Sequence, residues 1–418
     1  MVVKVFDYGM NGEGVAKVDG KIILVNNALI GEDVDVDIVE DNENFAIANL
    51  KRIISSSDKR VKPYCPYFGE CGGCQLQHMQ YDEQLKFKTN HIRKTIKKIT
   101  GLDVLVNETV PCSKDFNYRN KMSFSVKDKT CGMLKQKSNH LIDVQSCPLA
   151  DEDINDILKI FKSYLLSKQQ NEIKNLVVRA IDKQILVGVV TKSYVDLKDL
   201  FSTLSTKFNH IGLYEIINTR NDSVVLSGKI VHVGGIKEIE INNFNLSYFV
   251  DLLGFHQTNL EIQNKLYEKV LNYIDKNSIV VNGFSGQGLL TAILARKAKH
   301  VTGIEINKSS HKSAESLKNR NKIKNITNIC GDFFKIFKNQ KTQINTIILD
   351  PTKKGCGKNV MNEINGIENI IYISCNPIAL SKDLNAIKDD YIIEEITPFD
   401  MFPNTTSVET LVKLKRIN

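Results

Sequence analysis

From about residue 258 onward the chain repeats one rhythm: a stretch with helical spacing of apolar residues, then a short and mostly apolar run, then another helical stretch. Helical spacing covers 258–274, 289–297, 308–321 and 377–387, and between these stretches stand Ile279–Phe284, Val301–Ile306, Thr346–Leu349 and Ile370–Ser374. Runs so short and so apolar read as strands buried on both faces. The pattern therefore predicts a parallel α/β sheet with helices on either side. Two further strands are expected near 391–396 and 409–415. Sheets of this kind bind ligands at the carboxyl ends of their strands, which fixes where chemistry should be sought.

A chain of 418 residues is too long for one such core. Its first 55 residues alternate β-rich runs (Val2–Phe6, Val15–Val18, Ile22–Val25, Val34–Val39, Phe45–Leu50) with turn signals such as Asp19-Gly20. Five short strands in so little chain predict a small barrel of the type used for nucleic acid. Ser55-Ser56-Ser57 reads as a linker. Residues 84–100 predict a helix with Leu85, Ile92, Ile96 and Ile99 inward and Lys86, Lys88, Arg93, Lys94, Lys97 and Lys98 on a basic outer face. Between 118 and 250 strand-like runs (Met122–Val126, Leu176–Ile181, Ile185–Val190, Val224–Leu226, Leu246–Phe249) mix with a helix near 151–167. The expected division is 1–57, 58–250 and 251–418, with the 84–100 helix packing on the last part.

Charge is unevenly spread. Residues 1–58 hold 5 Lys/Arg against 11 Asp/Glu, whereas residues 59–147 hold 16 against 8. A basic stretch beside an acidic one points to a polyanion partner, with Arg119 and Lys121 among the cations best placed to meet it. No apolar run approaches about 18 residues, and Met1–Met10 lacks the regions of a signal peptide, so a cytoplasmic protein without a membrane span is expected.

Three places carry chemistry. Strand Ile279–Phe284 runs into Ser285-Gly286-Gln287-Gly288, with Glu305 at the end of the next strand, where a carboxylate can take ribose hydroxyls. A dinucleotide would use the same geometry, but full G-x-G-x-x-G spacing is absent because Thr291 stands at the sixth position. Asp350-Pro351 and Ser374-Cys375-Asn376-Pro377 each follow a buried strand. Lysines and a helix start near Cys375 predict a lowered thiol pKa and a nucleophile. Glu409 supplies a carboxylate able to act as a base. Finally, nine cysteines suit metal or catalysis better than a disulfide framework. Cys65, Cys71 and Cys74 form C-x5-C-x2-C, with Cys147 as a fourth thiol across the basic stretch and His78 as a competing fourth ligand. An iron–sulfur cluster and a Cys3His zinc site are both open on these residues.

These segments, taken in order, resemble the RNA 5-methyluridine methyltransferases, especially bacterial 23S ribosomal RNA members with an amino-terminal TRAM barrel. The resemblance spans nearly the whole chain. It rests on Asn11-Gly12-Glu13-Gly14-Val15-Ala16, Cys65…Cys71-Gly72-Gly73-Cys74, Tyr118-Arg119-Asn120-Lys121 and Phe255-His256-Gln257-Thr258-Asn259. Gly303-Ile304-Glu305, Asp350-Pro351, Ser374-Cys375-Asn376-Pro377 and Phe402-Pro403…Val408-Glu409 complete it. It implies a Rossmann-like methyltransferase domain, an OB-like TRAM barrel and a central α+β iron–sulfur domain. It further implies Cys375 as nucleophile, Glu409 as proton acceptor, and Gln257, Phe284, Glu305 and Asp350 as contacts to S-adenosyl-L-methionine (SAM). A [4Fe–4S] cluster would sit on Cys65, Cys71, Cys74 and Cys147, and the enzyme would act as a monomer on RNA. Asn282, Ser285, Thr352, Lys353, Asn404 and Ser407 depart from the family's usual residues. A transfer-RNA target, a cytosine-C5 enzyme and a non-catalytic RNA-binding relative are the alternatives. The cytosine enzyme would carry a second cysteine where Thr352 stands.

Overall fold

The computed structural model describes residues 1–167, 171–222, 224–338 and 343–417. The amino-terminal sheet contains β1 (Val2–Lys4), β2 (Asp7–Tyr8), β3 (Gly14–Val18), β4 (Lys21–Asn26), β5 (Asp33–Asp41) and β6 (Phe45–Ser55), ordered β1-β5-β6-β4-β3-β2. Alternating burial along β3 to β5 turns Ala16, Ile23, Val25, Val34 and Val36 into one small core, and the sheet curls until β1 meets β3. One strand more than expected is present, because Asp7 and Tyr8 pair with Val15 and Gly14. The serine linker is fastened: Glu32, fully buried, takes Ser57 N–H and both arms of Arg60 at 2.6 and 2.8 Å.

Helix α1 (Tyr81–Thr100) follows and ends on Gly101, whose φ of 75° closes the last turn. It packs on α9 (Pro377–Ile387) beside the carboxyl-terminal sheet, far along the chain. Lys88 corrects the expected basic face. It is fully buried, paired with Asp400 and bonded to the Phe402 carbonyl at 3.0 Å.

The middle sheet is ordered β13-β12-β11-β10-β7-β8-β9, from β7 (Lys121–Lys127), β8 (Thr130–Leu134), β9 (Leu141–Ile142), β10 (Ile173–Ile181), β11 (Gln184–Thr191), β12 (Ile211–Ile217) and β13 (Lys229–Gly235). Helices α2 (Glu152–Ser167) and α3 (Lys198–Lys207) pack on it, and hairpin β14 (Ile239–Asn243) with β15 (Leu246–Val250) leads onward. The strand expected at Val224–Leu226 is not one. The Asn218 amide binds the Val224 and Val225 carbonyls at 2.8 and 2.9 Å, turning that segment into a loop.

The last sheet holds β16 (Ile279–Gly283), β17 (His300–Glu305), β18 (Ile326–Cys330), β19 (Thr346–Leu349), β20 (Asn369–Ser374), β21 (Tyr391–Phe399) and β22 (Glu409–Arg416). Helices α4 (Leu260–Asn272), α5 (Leu289–Leu294), α6 (Lys308–Arg320), α7 (Phe333–Phe337), α8 (Lys358–Ile364) and α9 (Pro377–Ile387) accompany it. The order β18-β17-β16-β19-β20-β22-β21 is parallel through β20. β22 runs antiparallel to β20 and to β21, the one reversed strand in this sheet among the described residues, which corrects the expectation of a parallel sheet. This reversal matters to the site, because β22 turns back beside the carboxyl end of β20.

Candidate active site

A cleft of about 730 Å³ opens at the carboxyl ends of β16, β19 and β20. On its cofactor side, β16 ends in Gly283 and the chain turns sharply. Phe284, Gly286 and Gly288 all have positive φ, of 60°, 56° and 83°. At Gly288 a Cβ would lie 2.6 Å from that of Ala314, so glycine is what lets α5 approach α6. Phe284 has no such exemption, and a bulky residue held there is stored strain at the cleft wall. Asn282 donates to Thr291 Oγ1 at 2.9 Å, leaving its own buried Oδ1 without a partner. Thr258 Oγ1, also in the lining, has none either.

On the other side, strand register sets the chemistry. β20 and β22 pair antiparallel with Ser374 opposite Thr410, so Cys375, just past the end of β20, and Glu409, at the start of β22, stand beside the last pair of the ladder, and both line the cleft. The loop holding Cys375 is fixed on both sides: Ser374 Oγ accepts Asn376 N–H at 3.1 Å, and Asn376 caps α9 through Ile378 N–H at 3.1 Å. The Asn376 amide also donates to the Lys353 carbonyl at 2.8 Å, tying the Asp350 loop to the Cys375 loop.

Here three ionisable groups share a poorly solvated space. Burial pushes the Asp350 and Glu409 carboxyls above their usual range, and the Asp350 charge raises Glu409 further. Burial likewise pushes the Cys375 thiol up to about 11, reinforced by Glu409 and Asp350 and opposed by Lys353. The lowered thiol pKa expected from sequence is therefore corrected. Burial, joined by two carboxylates brought in from other strands, outweighs the nearby lysine.

Glu409 opens β22 at the end of a loop held by unusual means. Asn404, at φ 67°, accepts Gln75 and Leu76 N–H on its carbonyl, both at 3.1 Å. Its side chain meets Tyr64 Oη at 2.7 Å, the Asp115 carbonyl at 2.9 Å and Gln84 Nε2 at 3.2 Å. The cysteine loop and the Glu409 loop thus share one asparagine. The charges of Cys71 and Cys65 from the same loop, and of Cys147 from a distant segment, bear on Cys74. Among the described residues no three His, Cys, Asp or Glu side chains are grouped to hold a metal ion. His78 gives the Cys3His zinc reading no support: its buried ring nitrogens are unpartnered, and it lies near Arg60 and Glu32.

Of the residues singled out from sequence, Gln257, Phe284, Asp350, Cys375, Glu409 and Arg119 line this cleft. Arg119 holds its guanidinium 6.0 Å from the Phe402 ring centroid. Glu305 is not in this lining: its two oxygens accept Gly286 N–H at 2.9 Å and Asn307 N–H at 2.6 Å, which leaves each a further lone pair for a ribose hydroxyl. Lys121 donates to the Leu252 carbonyl at 2.7 Å, and burial lowers it to about 7. Sequence reading missed Tyr267 and Gln263 in the lining, because both lie on the inner face of α4 and read as ordinary core positions.

A Rossmann-like methyltransferase sheet preceded by a curled β-domain defines the class of protein. The family model described as tRNA (Uracil-5-)-methyltransferase matches residues 80–417, and that of the TRAM domain matches residues 1–51. The chain belongs to this RNA (uracil-5-)-methyltransferase family and carries a TRAM domain. A Staphylococcus epidermidis protein named as an uncharacterized RNA methyltransferase is 32% identical over 99% of this chain and 96% of its own length. A Clostridium tetani protein of the same description is 30% identical over 97% and 94%. Among solved structures, the Pyrococcus abyssi tRNA (uracil-54, C5)-methyltransferase in complex with S-adenosyl-L-homocysteine has a TM-score of 0.81 at 25% identity, covering 99% of this chain and all of that one. No described helix is long and apolar enough to cross a membrane.

The buried carboxyl has a thermodynamic signature. Its folded-state pKa lies above the unfolded value of 4.5, so stability is fully present below that pH and is eroded as pH rises through the folded value. Glu409→Gln is therefore expected to change Tm little near pH 4.5 and to raise it at pH 8, by about 2–4 °C for each kcal/mol recovered. Thermal melts at both pH values check this, and an unchanged or lower Tm at pH 8 contradicts it.

Proposed function

We propose that this protein transfers the methyl group of SAM to C5 of a uridine in RNA, with Cys375 as nucleophile and Glu409 as base. The observation that carries the reading is that the adjoining ends of β20 and β22 bring the Cys375 thiol and the Glu409 carboxyl into one cleft that also holds Asp350. Uracil C5 is a weak nucleophile until a thiolate adds at C6 and pushes the double-bond electrons toward C5 and the O4 oxygen. Cys375 must first lose its proton, and Lys353 favours the thiolate that results. After C5 has taken the methyl group, Glu409 removes the C5 proton. The electron pair then restores the C5–C6 double bond and expels the thiolate. A carboxyl with a raised pKa is the stronger base once ionised.

SAM supplies an electrophilic methyl carried on a sulfonium. Gln257, Phe284, Glu305 and Asp350 are the residues proposed to hold it. Two features support the fit: the unpartnered Asn282 Oδ1 and Thr258 Oγ1 offer hydrogen-bonding sites, and the Asp350 and Glu409 carboxylates favour a cation. Arg119 in the lining is proposed to meet the RNA. The target is proposed to be a 23S ribosomal RNA uridine, following the resemblance of the cysteine and TRAM segments to those enzymes. The Pyrococcus abyssi neighbour, matched across nearly the whole chain, supports a transfer-RNA uridine as the second reading.

We also propose a [4Fe–4S] cluster on Cys65, Cys71, Cys74 and Cys147. The four cysteines would hold it from two segments of the chain, and Cys74 already feels the charges of the other three. No step of methyl transfer runs through it. Its place beside the Asn404 junction suits a bracing role.

Two measurements follow. Mapping 5-methyluridine in ribosomal and transfer RNA from cells with and without the gene should show one or more positions lost, restored by the wild type but not by Cys375→Ala. Restoration by folded Cys375→Ala contradicts the mechanism. Protein purified without oxygen should hold about four irons, and Cys71→Ser should lose them. Zinc at one equivalent without iron overturns the cluster.

A further inference from the structure

Outside the catalytic cleft, a second cavity of about 350 Å³ lies in the seam between the amino-terminal sheet and α1, closed at one end by Ile378 of α9. Its size is at the lower end of the ~300–1,000 Å³ of small-ligand pockets, suited to one heterocycle rather than a helix or strand. Its walls have the character of a base site. Phe87 is buried and carries the His91 ring stacked at 5.8 Å and 12° and the Tyr8 ring edge-on at 5.8 Å. Met10 and Ile378, 45% and 37% exposed, add apolar surface.

Charge on the two sides of this cavity is complementary to a nucleotide. Lys94 and Lys98 stand exposed along α1, and Lys94 is paired with Asp7. Glu83, 3.5 Å from Lys86 Nζ, lines the cavity with a carboxylate, and Asn90, whose Oδ1 accepts Arg93 at 2.7 Å, lines it with an amide. A phosphate fits the lysine side, and a base bearing an exocyclic amino group fits the Glu83 side.

The cavity also lies near the proposed chemistry. Ile378, in its lining, is three residues beyond Cys375, so their Cα atoms are at most about 11 Å apart. Asn376, between them, lines the catalytic cleft. A nucleotide next to a target base at Cys375 is within reach of this cavity.

We propose that the cavity between Tyr8 and His91 and the start of α9 holds the base of a nucleotide flanking the target uridine in the same RNA strand, with Lys94 and Lys98 on its phosphate. This rests on the proposed RNA reading. The TRAM domain then acts as one wall of a second base site, extending recognition beyond the modified uridine.

The test uses the RNA fragment mapped as substrate, in a series with each flanking nucleotide made abasic in turn. Binding is measured to wild type and to Asn90→Trp, which fills the cavity from α1. Removal of one flanking base is expected to weaken wild-type binding about tenfold and to leave Asn90→Trp, already weakened, nearly unaffected. Lys98→Ala, a surface change that spares the fold, should lower the salt slope by about 1. Equal losses in both proteins at every position, or an unchanged salt slope, overturn the proposal. An RNA that is bound and methylated without this coupling defeats the second site alone. Absence of any bound or methylated RNA defeats the proposed function instead.

Discussion

A lysine and an aspartate 312 positions apart meet without water between them, and much of the catalytic half hangs from that meeting. Removing two charges from solvent is costly, so a buried pair persists only where its remaining donors and acceptors are met. Here they are. Lys88 also binds the Phe402 carbonyl, and Asp400 takes Tyr81 Oη at 2.7 Å, while Tyr81 in turn accepts Cys112 N–H at 2.8 Å. The pair does two jobs. It fastens α1 to the last sheet, and it starts the 400–408 loop in a fixed place. That loop is held again at Asn404 before it delivers Glu409 to β22.

What the loop delivers is a carboxylate in the wrong solvent. Glu409, Asp350 and Cys375 each hold a proton more tightly than they would in water, chiefly through burial. Such a site is poor ground for a reactive thiolate when Lys353 alone offsets the carboxylates, and better ground when a sulfonium joins it. The same burial that destabilises the fold at neutral pH makes Glu409 a stronger base, so the stability cost and the chemistry have one cause.

Much of this was legible in the chain. Strand Thr346–Leu349 and helix 377–387 fall where periodicity places them, because a buried strand and a Pro-started helix announce themselves locally. Strand β18 escaped notice, since Ile326-Thr327-Asn328-Ile329-Cys330 lies on a sheet edge and is half polar. The errors share a different origin. Lys88 read as surface because its partner lies 312 residues away, and the Cys375 thiol read as acidic because Glu409 and Asp350 come from other strands. Local sequence shows which groups are present, whereas their titration depends on which of them the topology buries together.

Cys375 is proposed to bond to the substrate base, and finding that bond decides the mechanism. Substrate RNA carrying 5-fluorouridine at the target, incubated with protein and SAM, should stall after methyl transfer, because fluorine cannot leave as a cation when Glu409 acts. Digestion and mass spectrometry of the trapped complex should place the nucleotide on the peptide containing Cys375, with the methyl group already on the base. An adduct on another residue, or methylated product released with no adduct at all, would contradict it.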